Sequence, residues 1–494
     1  MMVAPSALLV VVVLAMPVAG AGLCLFLTSP RAVLAALTAG VLATGLAAAW
    51  LAATVFGSGP RNALGGWLFV DALSAYHLVL LALVFALSTV FAGRYFRYGS
   101  HALDRRTARR FGALWFGSLA AMTLVLLSNH LGLMWVGIES TTLVTTFLIG
   151  LHRSRESLEA TWKYLVICSV GIAIAFMGTL LVGASATRAL PSPSDAMLWT
   201  RLREVAPLLD PAALKIGFLF ILVGYGTKVG LAPMHTWLPD AHSQAPAPVS
   251  AIFSGVMLNT ALYCIMRYVP VVEAATGQTG WALRLLALFG AISMLVAAAF
   301  ILFQRDAKRM LAYCSVEHLG IIAIGLGLGG LGTFAAMFHA ANHSLGKTVS
   351  FFCAGRLGQV YGTHEMKSLG GTLRAAPLWG AGLLLGLLGL IGVVPSGTFM
   401  SELLIVKAAT NVRAVALLVA FLVAAGTAFI GMFGHAMAMA WGQPPRENMA
   451  EKAGLLDAVV VILPLALLAL LGLWMPQPLR DMLEQAAGIV RPMP

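Results

Sequence analysis

The sequence predicts an all-α polytopic membrane protein, on three observations. Of 494 residues, 60% are hydrophobic and 10% charged, and the mean hydropathy is +0.90. Apolar runs of roughly 20 residues, enough to cross a bilayer, recur along the whole chain. Two of the longer runs are interrupted by proline, and each has an ionisable residue beside the interruption. Such a composition cannot form a water-soluble globule.

Taken in order, spans are predicted near residues 7 to 28, 32 to 56, 68 to 92, 111 to 128, 130 to 150, 161 to 183, 212 to 238, 246 to 269, 281 to 303, 312 to 330, 332 to 360, 376 to 408, 411 to 441 and 454 to 475, about 14 transmembrane helices in all. The first, around Leu8 to Thr28, lacks the positive start and cleavage site of a secretory signal and reads as a retained helix. The segment Arg94 to Arg110 carries six arginines against Asp104. Arg153, Arg155, Arg305, Lys308, Arg309, Lys367 and Arg374 also fall in connections that follow odd-numbered helices. The positive-inside rule makes those connections cytoplasmic and places both termini outside the cytoplasm, in a multi-pass protein of the cell inner (plasma) membrane. It also accounts for the net charge of +12 without nucleic acid. The longest loop, Ala184 to Pro211 with Pro191 and Pro193, falls outside.

The seventh span is broken by Pro233 and Pro239, the twelfth by the sequence VVPSGTF around Pro395 and Gly397; Lys228 and Glu402 stand beside these breaks. Matching broken helices 7 and 12, five spans apart, predict two inverted five-helix repeats. The boundaries are 1–110 for helices 1–3 and a basic loop, 111–270 for the first repeat (helices 4–8), 271–445 for the second (helices 9–13), and 446–494 for helix 14 and the C-terminal tail.

The cysteines, Cys24, Cys168, Cys264, Cys314 and Cys353, stand singly, with no C-x-x-C pair for a metal or cluster. Neither a dinucleotide fingerprint nor a Walker loop is present, and no nucleophile–base pair emerges. The chain is read as having no cofactor, metal or catalytic centre of its own.

The chemistry-bearing residues are ionisable groups at membrane depth, where one lysine costs about 2.5–3.5 kcal/mol on insertion scales. Lys228 is the sole charge in Ile216 to Met234. Glu139 lies in a fifth span without a basic residue, so an ionised carboxylate there needs a cation from another helix, and Lys228 is its natural partner. A structural ion pair is the bland reading of these two, a functional one the sharper. His339, His343 and Lys347 recur at i, i+4, i+8, along about 12 Å of one helix side. That row fits a proton relay; satisfied core histidines or a metal site are the alternatives, and this segment supplies no third ligand for a metal. Glu317 and His318 open the tenth span, where Glu317 either joins the relay or pairs with Lys308 or Arg309. Glu402 is either a proton site matching Lys228 or a solvated helix end. His235, Asp240 and His242 follow the first break and suit a cytoplasmic mouth, while Lys407 is assigned no role.

The stretch GYGTKVGLAPMHTWLPDAHSQAPAPVSAIFSG resembles the antiporter-like proton-pumping subunits of respiratory complex I and their relatives in membrane-bound hydrogenases and Mrp-type cation/proton antiporters. The resemblance runs from Phe69 to Trp474 through WVGIES, RDAKRMLAYCSVEHLG, FHAANHSLGKTVSFFCAG and PSGTFMSELL; SVEHLG, WKYLVICSVGIA and LNTALYCIMRY are most similar to the hydrogenase-4 component F group of formate-hydrogenlyase-type complexes. It implies fourteen helices and a polar axis carried by Glu139, Lys228, Lys347 and Glu402. Where relatives place Lys or His on helix 8, this chain offers Ser254 and Asn259, which leaves the axis to be bridged by water. The resemblance is expected to be to a middle or short-type subunit, without the long lateral helix of the largest complex I relative.

The resemblance implies a proton-translocating, non-redox subunit of a redox-driven oxidoreductase complex. Its Ni-Fe and iron-sulfur centres would sit in partner subunits, with other membrane subunits and a soluble cytoplasmic module beside it. A Na⁺/H⁺ exchanger subunit, with Ser396, Thr398 and Glu402 as oxygen ligands, is the first alternative. A membrane anchor for a soluble enzyme, such as an inorganic-carbon-converting partner, is the second.

Overall fold

A computed structural model describes residues 5–97, 102–152, 154–190, 192, 194–443 and 453–491. Arg153, Pro191, Pro193 and the predicted boundary at 445/446 lie outside the described residues.

The chain folds as helices α1 (Pro5–Phe26), α2 (Pro30–Ser58), α3 (Ala72–Tyr95), α4 (Arg105–Leu127), α5 (Leu131–Ile149), α6 (Arg155–Ala186), α7 (Trp199–Val205), α8 (Pro211–Val229), α9 (Trp237–Gln244), α10 (Ala247–Ile252) and α11 (Leu258–Ala275). There follow α12 (Trp281–Leu302), α13 (Ala307–Leu328), α14 (Gly330–Tyr361), α15 (Thr372–Ala375), α16 (Pro377–Leu390), α17 (Gly397–Asn411), α18 (Val415–Trp441), α19 (Leu455–Leu473) and α20 (Gln477–Val490). A small antiparallel hairpin, Arg61–Ala63 against Leu68–Val70, precedes α3 and was not foreseen.

Among the described residues, 12 helical stretches are long and apolar enough to cross a membrane, α10 and α11 counting as one. The predicted eleventh span is α14, 32 residues long, whose histidines, lysine and asparagine keep it below that threshold of apolarity. The predicted twelfth is two short helices, α16 and α17, of 14 and 15 residues.

Both breaks have local causes. Helix α8 stops at Gly230, whose φ of 85° suits a residue without a side chain, and α9 resumes only at Trp237. The break is therefore 230–236 and contains Pro233. Pro239 was expected to interrupt the span, but it stands in the first turn of α9, where its missing N–H has no helical partner to lose. In the second break Gly392 takes φ 70°, and the Ser396 hydroxyl caps α17 by accepting from the Phe399 N–H at 3.2 Å. The peptide bonds before Pro233 and Pro395 are both cis.

The stretch 247–275 is buried except at half-buried Ala274, and α13 and α14 lie beside it. Large side chains such as Leu46 on α2 and Ile430 on α18 are 75% and 69% exposed, as lipid-facing positions require. Where α12 crosses α13, a Cβ on Gly290 or on Gly320 would lie 2.7 Å from the other's carbonyl oxygen. Glycines there let two backbones touch, the usual device of membrane helix packing. The tail forms α20, whose buried Leu483, Ala486, Ala487 and Val490 fall on one face.

Candidate functional site

The buried polar groups form a band that starts on α5, α6 and α8. Lys228 is fully buried. Its Nζ donates to the Tyr164 hydroxyl at 2.5 Å and to Thr142 Oγ1 at 3.0 Å, and it lies 4.6 Å from the centre of the Tyr164 ring. Tyr164 in turn shares a 2.6 Å hydrogen bond with Thr145. Glu139 was expected to pair with Lys228, and among the described residues no ion pair joins them. Glu139 Oε1 instead accepts from Ser169 at 2.9 Å, and Oε2 has no partner. The reason is rotation: Thr142 is nearly a turn beyond Glu139 on α5 and faces Lys228, while Glu139 lies nearer the side carrying exposed Val136, Leu143 and Phe147. Periodicity alone does not fix that rotation.

From Lys228 the band continues onto the helix that lacks the expected basic residue. Phe253–Met257 is a π-helical turn between α10 and α11. Its Gly255 carbonyl accepts from Asn259 Nδ2 at 3.0 Å and from Ser344 Oγ at 2.6 Å. Asn259 Nδ2 also reaches Ser344 Oγ at 3.2 Å, and Ser254 and Ser315 hydroxyls meet at 2.7 Å. Asn259 Oδ1 is left unpartnered. The widened turn frees backbone oxygen for side chains, a common use of π-bulges at functional sites.

The band ends on α13, α14 and α17. Lys347 is fully buried and donates to the Leu311 carbonyl at 2.8 Å. His339 joins two neighbours: Nε2 meets His318 Nδ1 at 2.8 Å and Nδ1 meets Ser401 Oγ at 2.9 Å. His343, fully buried, has neither nitrogen partnered, and its ring centre is 5.2 Å from that of His318. The expected row along α14 thus exists as placement, while the hydrogen bonds of His339 run sideways to other helices. Glu317 is buried. Its alternative pairing with Lys308 or Arg309 does not occur among the described residues: Lys308 donates to the Ser243 carbonyl at 3.0 Å and to that of Ala245, and Arg309 pairs with Asp240. Glu402 is partly exposed and lies against Gly392 in the second break.

At the cytoplasmic mouth expected near the first break, Asp240 is held by Lys163 at 3.0 Å and by Arg309. Burial pushes its carboxyl up, but the two cations outweigh burial and hold it below the usual carboxylate range. His235 is buried with Nδ1 unpartnered. His242 is fully buried, stacks on Phe351 with centres 5.1 Å apart, and has neither nitrogen bonded.

Sequence reasoning missed a buried ion pair. Arg267 on α11 meets Asp71 at the start of α3 at 2.5 and 2.7 Å, and also donates to Tyr263 and Ser74. An arginine inside the apolar stretch LNTALYCIMRY was the available signal, with its acidic partner 196 residues away. Tyr164, Thr142 and Ser169 were also missed, since a hydroxyl in an apolar helix satisfies itself equally well on its own backbone.

Residues 128–428 match the family model described as NADH:quinone oxidoreductase/Mrp antiporter, TM. The chain belongs to this family. It is a multi-pass, antiporter-like membrane subunit, and the family's membrane subunits lack redox centres. It is 41% identical over 348 residues to a hydrogenase-4 component F homolog of Methylacidiphilum infernorum, covering 70% of this chain and 73% of that one. It is 29% identical over 426 residues to hydrogenase-4 component B of Escherichia coli, covering 81% and 61%. In fold, this family member superposes on a chain of the archaeal membrane-bound sulfane sulfur reductase with a TM-score of 0.87 at 22% identity, covering 98% of both chains. A chain of the Mrp complex from Dietzia sp. gives 0.86 at 20%, covering 98% and 97%. A chain of respiratory complex I from Thermus thermophilus gives 0.74 at 24%, covering 94% and 97%. All three neighbours are subunits of multi-subunit membrane complexes.

Proposed function

We propose that the chain is the proton-translocating subunit of a redox-driven membrane complex, of the membrane-bound hydrogenase or complex I-like kind. It crosses the membrane fourteen times in two inverted repeats, with both termini outside the cytoplasm. Ni-Fe and iron-sulfur centres belong to partner subunits, on whose redox step the chain depends for free energy.

The observation that carries this reading is the band of buried polar side chains from Lys228 through Asn259 and Ser344 to Lys347 and His339, with half-buried Glu402 at its end. Several of these groups cost a few kcal/mol each at membrane depth, a cost that a merely anchoring protein has no use for. Lys228 sits between hydroxyls that can accept from its ammonium or donate to its neutral amine. Glu139, on the partly exposed side of α5, is close enough to Thr142 along the helix for a small shift to bring ammonium and carboxylate together. Such a shift, driven by a charge change in a neighbouring subunit, holds the proton on Lys228; its reversal releases it toward Lys347, the histidines and Glu402. Ionised Asp240, pinned by two cations, organises the mouth rather than carrying the proton.

Gentle purification of the tagged chain, with metal analysis and mass spectrometry of what accompanies it, tests the assembly: Ni, Fe and redox subunits are expected. Lys228→Ala tests the route. Coupled proton translocation in reconstituted vesicles should vanish with the complex intact, and full pumping by that variant overturns the scheme.

A further inference from the structure

Three helices converge on His318, His339 and Glu402, one residue from each of α13, α14 and α17. One ligand atom from each lies within 4.8 Å of the other two. We propose that these residues form a binding site for a divalent transition-metal ion of the zinc class, with two imidazoles, one carboxylate and an open fourth position.

The donor set is one that zinc accepts. His318 Nδ1 and His339 Nε2 are 2.8 Å apart; on a tetrahedral zinc with bonds of about 2.0–2.1 Å two ligand nitrogens stand roughly 3.3 Å apart. A ring movement of about half an ångström makes room for the ion. The far nitrogen of His339 is already arranged for ligation. With the Ser401 proton on the Thr398 carbonyl at 2.8 Å, the Ser401 oxygen accepts from His339 Nδ1–H at 2.9 Å. That leaves the Nε2 lone pair of His339 aimed at the site, the same outer-shell arrangement that orients metal-bound histidines elsewhere. His318 Nδ1, which now donates to His339, gives up that role when its proton moves to Nε2. The ring stays neutral, and a proton carried by Glu402 is released to solvent when its carboxylate takes the ion.

A second observation points the same way. Around the three residues stand fully buried polar groups that the protein leaves unpartnered: both nitrogens of His343, both amide atoms of Asn342, and the Thr398 hydroxyl. The ring of His343 is 5.2 Å from His318, and the Asn342 amide is packed against Gly397 at the start of α17. Buried polar atoms are seldom left without partners, and a cluster of them marks a place that takes up water or an ion. The neighbouring trio of Cys314, Glu317 and His318 shares His318 with this site but offers one imidazole in place of two. Glu402, partly exposed beside the break, is the way in.

The site stands whether or not the chain moves protons. Its consequence for transport, that a bound ion fastens α17 to α13 and α14 and interrupts the route at Glu402, rests on the proposed function. The test uses the full chain in detergent, purified through a tag without histidine, stripped with chelator and titrated with cobalt(II). A saturable visible spectrum of low-coordinate cobalt, about one ion per chain and displaced by zinc, is expected. His318→Ala, His339→Ala and Glu402→Gln should each weaken binding about tenfold or more, and His343→Gln should leave it within about threefold. The variants must elute and unfold as the parent does. As a second measurement, zinc should raise the unfolding temperature of the parent and not of the doubly substituted His318→Ala/His339→Ala chain. Absence of a saturable spectrum, or equal affinity in that double variant, overturns the proposal. Metal binding with unaltered proton flux in vesicles would uphold the site and overturn the route through Glu402.

Discussion

Lys228 in the first half of the band donates to two side-chain hydroxyls, whereas Lys347 in the second donates to a backbone carbonyl. A hydroxyl can turn from acceptor to donor when the lysine loses its proton; a carbonyl cannot. The surroundings of Lys228 thus suit both of its states, while Lys347 remains a donor in either. On the proposed function, charge is held at Lys228 and passed on at Lys347 and the histidines beside it.

The largest expected effect separates that band from scaffolding charge. Arg267→Ala leaves Asp71 buried and unpaired and should cost about 3–5 kcal/mol of stability, read by denaturation in detergent. Replacing both residues by leucine should recover most of it, and failure to do so would give this pair more than a scaffolding role. Next, Lys228→Arg should lower translocation about a hundredfold, because arginine keeps its proton, whereas Lys347→Arg should cost about tenfold. Equal losses at both positions would break the comparison. Tyr164→Phe removes a hydrogen bond to a charged group, worth about 1.5–3 kcal/mol, and should slow translocation with assembly unchanged; an unaffected rate would show that the Lys228 hydroxyls are idle. The smallest effect belongs to the mouth. Asp240→Asn should cost less than about 1 kcal/mol, its cationic partners being partly exposed. Because the Asp240 carboxyl is held low in the folded chain, its contribution is present above the unfolded carboxylate value and is lost as pH falls through the lower folded value. The mouth should therefore be insensitive to pH near neutrality, and a change in the unfolding midpoint of the parent but not of Asp240→Asn between pH 6 and 8 would contradict this.

Much of the membrane architecture was legible in the sequence because it follows from length and apolarity: the spans, and the breaks beside Lys228 and Glu402, lie close to where the runs of residues put them. The α14 row was legible too, since i, i+4 spacing fixes a common face. What spacing leaves open is how far each helix is turned and at what height it meets its neighbour. For that reason the Glu139–Lys228 pair was inferred where Ser169, Tyr164 and Thr142 stand instead. Arg267 and Asp71, in different helices far apart in sequence, could not be joined by any local pattern. The π turn at Phe253–Met257 likewise has no composition of its own; its Gly255 carbonyl meets Ser344 of α14, a contact no local pattern announces.

Among the described helices, α14 is the long one not apolar enough to cross a membrane by itself, and most of its residues from Gly332 to Gly358 are buried. A nascent segment carrying Lys347, His339 and His343 is a poor candidate for release into lipid by the insertion machinery, which admits segments largely by their own apolarity. Its biogenesis must then be collective, with α13 upstream and α16 and α17 downstream giving it surroundings before it settles. A chain shortened just after α14 would keep Lys228, Lys347, His318, His339 and His343 but lose Glu402, and it would still lack the neighbours that allow those groups to stay in the membrane.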